Sequence, residues 1–196
     1  MKTGESLGSR LKRGVCCFGL SVVLPCPSVI EMAALAGYDF VRIDWEHALF
    51  GAIELRELLN TARLVGMPCQ VRVPELTMIT PLLGQEPAGI MVPHVESEKE
   101  ARAAVDACRF QPLGRRGMDG NTRRMRCEGM TRRTYMEYQQ ENLDIVVQIE
   151  SIPAMEKIDE ILSLDGITMA ATGRADLSQE LGFPGQKNHP AVLEAE

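Results

Sequence analysis

Short runs of β-forming residues alternate with amphipathic helical segments along the whole chain, and this alternation most constrains its fold. The β-rich runs predict six strands, at residues 15–22, 40–44, 70–73, 90–92, 145–149 and 167–171, and a weaker strand at 114–118. Helical periodicity predicts helices between them, at residues 27–36, 53–65, 97–108 and 153–164. Such alternation indicates parallel strands joined by helical crossovers.

Two parallel architectures fit this alternation, an open doubly wound sheet and a closed (βα)8 barrel. No G-x-G-x-x-G follows the first strand and no G-x-x-x-x-G-K-[ST] occurs, so the nucleotide-binding signatures of doubly wound folds are missing. A barrel places polar residues at the C-terminal ends of its strands. The chain has Asp44 and His47 after the second strand, Arg72 in the third, Glu150 after the fifth and Asp176 after the sixth. The sequence therefore predicts a (βα)8 TIM barrel of the α/β class.

Length limits this barrel, because the chain has 196 residues whereas such barrels typically take ~250. We expect a single barrel domain over residues 1–196 that is C-terminally incomplete, truncated before its last strand and C-terminal helices. An open barrel exposes strand edges and apolar surface, so we expect this chain to be poorly stable or to aggregate by itself.

Composition and charge exclude several classes of protein. The net charge of −6 argues against nucleic acid as the main partner, and no apolar run approaches the ~20 residues of a membrane-spanning helix. The six cysteines have no C-x-x-C spacing, so we expect reduced thiols in a cytoplasmic protein. Residues 109–133 carry eight arginines and a local charge of +6, but no aromatic residue lies between Phe110 and Tyr135 to stack bases. We expect this segment to meet acidic substrates or a neighbouring subunit.

Acid–base chemistry needs a group that changes charge near neutral pH, and His47 is the best placed of the three histidines. Asp44, which precedes it closely in sequence, is able to orient the imidazole or to support its cationic form. A surface histidine beside a strand-end aspartate is the alternative interpretation. His94 follows a strand and Pro93, and a simple loop role is favoured for it.

Glu150 and Asp176 form a second pair at the same predicted edge of the sheet. Each follows an apolar strand, and no Cys or His stands at a matching position. Two carboxylates without such ligands suit a hard cation such as Mg²⁺ or Mn²⁺. Such an ion polarises a keto group and stabilises an enolate. The alternative is that Asp176 caps the helix that follows it.

Other groups at this edge point to an anionic ligand. Arg72 is expected to face the barrel interior or its mouth, where a guanidinium needs an anionic partner. Strand alternation places Gln148 on the same face as Glu150. Gly173 permits close backbone approach, and the amides of residues 174–176 at a helix start are suited to hold a carboxylate.

Six segments, in one order along the chain, carry a family resemblance. They are residues 40–47 (FVRIDWEH), 71–74 (VRVP), 89–93 (GIMVP), 112–117 (PLGRRG), 147–150 (VQIE) and 173–178 (GRADLS). This series resembles the HpcH/HpaI aldolase (citrate-lyase-like) family of pyruvate/phosphoenolpyruvate-type barrels. The resemblance extends from about residue 10 to the C-terminus.

The resemblance implies a metal-dependent class II aldolase that cleaves a 4-hydroxy-2-oxo acid to pyruvate and an aldehyde, or catalyses the reverse condensation. It implies that Glu150 and Asp176 hold a divalent metal, either Mg²⁺ or Mn²⁺, or Co²⁺. It also implies that His47, paired with Asp44, moves the proton of the 4-hydroxyl and that Arg72 neutralises the developing enolate. Members are typically hexamers, so a homo-oligomer is expected. The implied substrate-binding residues are Gln148, Gly173, Arg174 and Ala175.

Two positions depart from the family pattern. Residues 83–88 read LGQEPA where members have Leu-Asp-x-Gly-Ala, so Gly84 stands at the acidic position and Glu86 is a candidate replacement. Arg174 stands where Pro is frequent, which adds a positive charge beside the carboxylate site. That charge suits a dianionic acid, or the side chain reaches solvent.

Two other functions stay open at this point. Relatives in siderophore pathways condense oxaloacetate with an acyl-CoA on the same scaffold, and Gln179 with residues 186–190 resembles them. The third interpretation is an inactive, truncated homologue that acts only as a binding or assembly partner.

Overall fold

A computed structural model describes residues 5–120 and 122–196, and within them six parallel strands form one sheet. The strands follow one another in sequential order across the sheet, each paired with the next along the chain. Sequential order is that of a barrel, whereas the strand order of a doubly wound sheet reverses. The strands are Gly19–Val22 (β1), Phe40–Asp44 (β2), Cys69–Arg72 (β3), Gly89–Val92 (β4), Asp144–Ile149 (β5) and Met169–Thr172 (β6).

Helices connect the strands. The two outer strands differ from the prediction mainly in where they begin. β1 starts at Gly19 and not at residue 15, and β6 starts at Met169 and not at residue 167. The helices are Leu7–Lys12 (α1), Pro27–Leu35 (α2), Ala52–Leu64 (α3), Ile79–Leu83 (α4), Glu98–Cys108 (α5), Arg123–Cys127 (α6), Arg132–Asn142 (α7), Ile152–Glu156 (α8), Ile158–Leu162 (α9), Arg174–Glu180 (α10) and Pro190–Ala195 (α11).

The helical periodicity read from the sequence is confirmed where it was strongest. α3 buries Leu55, Leu58, Leu59 and Ala62, and the Ser97 hydroxyl caps α5 by accepting a hydrogen bond from the third helical amide. The single helix predicted at 153–164 is wrong. Lys157 leaves the helical region with φ −112° and ψ 16°, so it ends α8 and its carbonyl begins α9.

The weaker strand predicted at 114–118 is also wrong. The amides of Gly114 and Arg115 donate to the carbonyls of Phe110 and Asp106, at 3.1 and 2.8 Å, so this backbone folds back on the end of α5. Only glycine fits this return, because a Cβ at Gly114 would lie 2.4 Å from the carbonyl oxygen of Arg109. These amides are therefore not free to pair with a strand.

The two faces of the sheet differ sharply in polarity because successive side chains of a strand alternate between them. Val41, Ile43, Ile90 and Val147 are fully buried in the apolar core that the sheet shares with the helices. The other face surrounds a cavity of about 230 Å³ to which every strand contributes, so the sheet is curled. The residues that line it are Ser21, Arg42, Asp44, Arg72, Met91, Gln148, Ala171 and Thr172.

Asp144 lies at the start of β5, at the opposite end of the strand from Glu150. It is almost fully buried, and its Oδ1 accepts a hydrogen bond of 3.1 Å from the amide of Gly8 in α1. Burial raises the pKa of Asp144 to about 6, against the lowering effect of the Gly8 amide. This carboxyl fastens α1 to the sheet, and its charged form is costly.

All six cysteines are free thiols, and burial raises the pKa of Cys69 and of Cys108 to about 12. Among the residues that the structure describes, none of the helices has the length and apolar character needed to cross a membrane.

Candidate active site

Asp44 and Arg72 form the centre of the site, at the C-terminal ends of β2 and β3. Asp44 Oδ1 accepts from Arg72 Nε at 3.1 Å, and Oδ2 accepts from Arg72 Nη2 at 2.6 Å. Burial alone would raise the pKa of Asp44, but hydrogen bonds from Arg72 and from the His47 amide hold it below its ordinary value. Asp44 is therefore an anion at neutral pH, and it fixes the guanidinium at two points.

Arg72 also contacts the other polar groups of the site. Its Nε lies 3.1 Å from Glu46 Oε2, and its Nη1 donates to Gln148 Oε1 at 3.3 Å. Burial lowers the pKa of Arg72, but the hydrogen bonds of Asp44 and the charges of Asp44, Glu46 and Glu150 raise it above its ordinary value. Arg72 thus brings a permanent positive charge to the mouth of the curled sheet.

His47 lies beside this pair with its side chain 60% exposed. Its Nδ1 is 2.8 Å from Arg72 Nη2, and because a guanidinium only donates, Nδ1 accepts this bond. In the neutral ring the proton is then on Nε2. Asp44 Oδ2 lies 3.8 Å from Nδ1, which is too far to orient the ring by a hydrogen bond but close enough to support its cationic form, and Asp44 Oδ1 accepts from the main-chain amide of His47 at 3.2 Å.

Glu150 follows β5 directly, and its side chain is only 3% exposed. Its Oε1 accepts a 2.9 Å hydrogen bond from the amide of His94, and its Oε2 accepts from Gln148 Nε2. Burial raises the pKa of Glu150 most, and the negative charges of Asp176 and Glu46 add to this, while the amide and ring of His94 oppose it. Glu150 and Asp176 are therefore close enough for their charges to repel each other.

Asp176 lies in the first turn of α10 and its Oδ1 accepts from Gln179 Nε2 at 3.3 Å. The residue that precedes α10 at the capping position is Gly173, so the alternative in which Asp176 caps this helix is not what the structure has. Gly173 is packed against Glu150, because a Cβ at this position would lie 2.3 Å from Glu150 Oε2 and 2.8 Å from Gln148 Nε2. Glycine therefore brings the backbone of α10 against Glu150.

These side chains surround one cavity of about 590 Å³ at the C-terminal edge of the sheet. All of the site residues predicted from the sequence line it except Asp44 and Glu150, which contact its lining residues Arg72 and Gln148. Its lining residues are His47, Arg72, Gln148, Gly173, Arg174, Ala175, Asp176, Lys187 and Asn188.

Sequence reasoning missed four residues of this region. Lys187 and Asn188 reach the cavity from the segment between α10 and α11, and Asn188 accepts a 3.4 Å contact from Arg174. Arg174 also pairs with Glu196 at 3.3 Å. Glu46 and His94 lie 2.8 Å from each other and contact Arg72 and Glu150, respectively. The only sequence signal for His94 was its position directly after Pro93 and a buried strand.

A second group of potential metal ligands, Asp44, Glu46 and His47, lies within 4.8 Å. Arg72 donates to Asp44 and lies against both Glu46 and His47, so a guanidinium already supplies the positive charge among these groups. Among the described residues, Glu150 contacts the imidazole of His94 and Asp176 accepts from the side-chain amide of Gln179, and neither carboxylate accepts a hydrogen bond from a guanidinium. The pair of Glu150 and Asp176 is therefore the better candidate for a metal centre.

Glu86, the candidate replacement for the acidic position at Gly84, lies elsewhere in the fold. It is buried, its Oε1 accepts from the amide of Arg124 at 3.2 Å, and burial raises its pKa. This carboxyl holds the start of α6 and is not among the residues that line the cavity.

Two arginines of the arginine-rich segment, Arg109 and Arg116, have internal contacts, whereas others such as Arg115 and Arg133 are exposed, so a subunit contact by this segment stays a prediction. Arg109 is buried and donates to the carbonyls of Gly166 and Gln140, both at 2.9 Å. Arg116 Nη1 donates to Gln139 Oε1 at 3.0 Å, and its guanidinium lies over the ring of Phe110, 4.6 Å from the centroid. These arginines hold α5 and α7 together inside the chain.

Comparison with known proteins gives the same family along most of the chain. The model of the HpcH/HpaI aldolase/citrate lyase family matches residues 18–196. The hydroxypyruvate/pyruvate aldolase of Sagittula stellata is 33% identical over 187 residues, which are 94% of this chain and 73% of that protein.

Solved structures also match over nearly the whole chain. An HpcH/HpaI aldolase from Desulfitobacterium hafniense superposes with a TM-score of 0.88 at 30% identity, over 98% of this chain and 75% of that one. The citrate synthase SbnG superposes with a TM-score of 0.85 at 31% identity, over 97% of this chain and 74% of that one.

Proposed function

The chain belongs to the HpcH/HpaI aldolase/citrate lyase family, and we propose that it is a metal-dependent class II aldolase, a carbon–carbon lyase. It cleaves a 4-hydroxy-2-oxo acid to pyruvate and an aldehyde, or catalyses the reverse condensation. The observation that carries this proposal is the convergence of His47, Arg72 and Asp176 on one cavity, with buried Glu150 directly behind Gly173. Similarity to a hydroxypyruvate/pyruvate aldolase supports it.

The residues present fit a divalent metal held by Glu150 and Asp176. Both donors are carboxylate oxygens, which suit Mg²⁺ or Mn²⁺, with Co²⁺ as a further candidate. The charge of Asp176 raises the pKa of Glu150, and a cation between the two carboxylates would relieve this repulsion. When bound, the metal supplies Lewis-acid polarisation of a 2-keto oxygen.

His47 and Arg72 carry the bond-breaking step. In cleavage, the substrate's 4-hydroxyl displaces Arg72 Nη2 from Nδ1 of His47 and gives its proton to that nitrogen, the C3–C4 bond breaks, and the aldehyde carbonyl forms at C4. The electron pair of that bond passes to the pyruvate fragment, whose C2 oxygen becomes negative as the enolate. Arg72, fixed by Asp44 at two points, stabilises this charge, and the proton taken up by His47 returns through solvent water to C3 to give pyruvate.

Substrate binding falls to the groups that line the remaining wall of the cavity. Gln148 is held between Arg72 and Glu150, so its amide has a fixed orientation. Gly173 brings the backbone close, and Ala175 and Arg174 lie beside it in α10. We assign the binding of the 2-oxo acid to these four residues.

Several broader features are part of the same proposal. The sequential, curled sheet, six-stranded in the described residues, supports the fold of a (βα)8 barrel. The protein is cytoplasmic and forms a homo-oligomer, a hexamer as is typical of the family. Exposed apolar side chains on α2 and α3 support a subunit interface, among them Met32, Leu35 and Leu64.

A second candidate function is favoured by the similarity to citrate synthase SbnG. That activity would condense oxaloacetate with an acyl-CoA in the same cavity. Two incubations with Mn²⁺ separate the candidates: pyruvate with a panel of aldehydes, and oxaloacetate with acetyl-CoA. The aldolase proposal expects product from the first mixture, and product from only the second would overturn it. If neither mixture gives product and the chain binds no Mn²⁺, the result favours an inactive homologue.

A further inference from the structure

The ring of His94 contacts two carboxylates of the site, those of Glu46 and Glu150. Its Nε2 lies 2.8 Å from Glu46 Oε1, and its Nδ1 lies 3.0 Å from Glu150 Oε1. Both carboxyl groups are largely buried, at 12% and 3% exposed, whereas the imidazole is 62% exposed. The ring therefore bridges the two acids, one at each ring nitrogen.

The backbone of His94 is adapted to this contact. It has φ 53°, in the left-handed region that only a few per cent of non-glycine residues adopt, histidine among the more frequent of them. This conformation lets the main-chain amide donate to Glu150 Oε1 at 2.9 Å while the ring of the same residue approaches the same oxygen. Unfavourable backbone geometry at a site is commonly kept for a function.

The bridge continues from Glu46 to the reacting groups. Glu46 Oε2 lies 3.1 Å from Arg72 Nε and 3.3 Å from His47 Nδ1. A continuous series of polar contacts thus leads from Glu150 through His94 and Glu46 to Arg72. Groups held in such a series restrict one another's rotation.

We propose that His94 is a positioning residue, which fixes the carboxylate of Glu150 for a divalent cation and, through Glu46, the guanidinium of Arg72. This inference rests on the proposed function, because it takes Glu150 as a metal ligand. His94 is not assigned a proton transfer. Its effect is to hold Glu150 in one orientation, and outer partners of metal ligands have large effects on metal affinity.

The test measures Mn²⁺ affinity directly, by titration of free Mn²⁺ with the full chain. His94→Asn keeps a residue that tolerates the left-handed backbone, but its side chain is too short to span both acids. Glu46→Gln cuts the same bridge from its other end. Glu137→Gln changes an exposed glutamate of α7 that pairs with Arg133 at the surface, and it is the matched control for the loss of a carboxylate.

We expect His94→Asn to weaken Mn²⁺ binding by about 10- to 100-fold, with a melting temperature within about 2 °C of the unmodified chain. Glu46→Gln weakens it in the same direction, and the double variant is less than additive because both changes break one bridge. Glu137→Gln leaves the affinity unchanged.

Mn²⁺ affinity within about twofold of the unmodified chain in His94→Asn overturns the inference, and so does full additivity in the double variant. If His94→Asn does not fold, unchanged affinity in Glu46→Gln overturns it. The proposed function fails in a different way, since the unmodified chain itself would then bind no Mn²⁺.

Discussion

Asp44 and Arg72 are register partners on neighbouring parallel strands, and their side chains form a two-point ion pair at the C-terminal edge of the sheet. Arg72 also donates to the ring of His47, so the aspartate acts on the histidine ring through the arginine. The position of the base, the charge that stabilises the enolate and the strand register are therefore set together.

The planar guanidinium of Arg72 is expected to be essential for turnover, because it contacts several groups of the site at once. Arg72→Lys keeps the charge but loses the paired contact with Asp44, and we expect turnover to fall by about 100-fold or more. The turnover number with pyruvate and an aldehyde checks this. Arg133→Lys, at an 87% exposed side chain on α7, is the control. Turnover of Arg72→Lys within about threefold of the unmodified chain would contradict this role of the Arg72 guanidinium.

Gly173 is predicted to be required for the acidic pair rather than for the fold. In Gly173→Ala the added Cβ meets Glu150 Oε2 at 2.3 Å, so the carboxylate must move. We expect Mn²⁺ affinity to fall by about 10-fold or more, because a displaced ligand binds the metal poorly. Gly117→Ala, where no atom lies within 4 Å of the added carbon, serves as the control. Equal Mn²⁺ affinity in both alanine variants would show that Glu150 tolerates the displacement.

Asp144 predicts how stability depends on pH. Its folded pKa of about 6 lies above the ordinary 3.8, so the folded state binds the proton more tightly and stability falls as pH rises through this interval. Asp144→Asn keeps an acceptor for the Gly8 amide and removes the charge. We expect the free energy of unfolding of the variant, relative to that of the unmodified chain, to increase by about 2 kcal/mol from pH 4 to pH 8. Urea unfolding at both pH values measures this.

The control for that experiment is Asp165→Asn, which changes an exposed aspartate near β6. Its free energy of unfolding should follow that of the unmodified chain at both pH values. A pH-independent difference between Asp144→Asn and the unmodified chain would contradict the assignment of the titration to Asp144.

Arg116 tests whether the arginine-rich segment is structural. Arg116→Ala leaves Gln139 and the Tyr135 hydroxyl without a donor and removes the cation over Phe110. We expect a loss of about 2–3 kcal/mol in the free energy of unfolding. Arg126→Ala, at an exposed position of α6, should cost less than about 0.5 kcal/mol. Equal and small losses in both variants would favour a surface role for the segment.

The sequence allowed the location of the site to be predicted because of one geometric rule. The carboxyl ends of parallel strands meet at one edge, so polar residues after separate strands, such as Asp44, Arg72 and Glu150, had to converge. The apolar stripes of α3 and α5 were predictable for the same kind of reason, because a regular period fixes which face is buried.

What the sequence did not predict depends on contacts between distant residues or on irregular backbone. The bridge of His94 needs both a left-handed φ and two partners from other strands, and no local pattern encodes these. The strand expected at 114–118 failed because its amides bond to the end of α5 instead of to a neighbouring strand. The contact of Asp44 with the amide rather than the ring of His47 likewise depends on the competing guanidinium of Arg72.

The central claim, that this cavity forms the enolate of pyruvate with metal-assisted chemistry, is tested most directly without knowing the aldehyde. Proton NMR in D₂O follows the exchange of the pyruvate methyl protons with the full chain and Mg²⁺, with Glu150→Gln as the ligand variant and Glu137→Gln as the surface control. We predict exchange that depends on Mg²⁺, falls by about 100-fold or more in Glu150→Gln, and is unchanged in Glu137→Gln. Exchange that persists in Glu150→Gln or after chelation of the metal, or no exchange at all with the unmodified chain, would contradict the account.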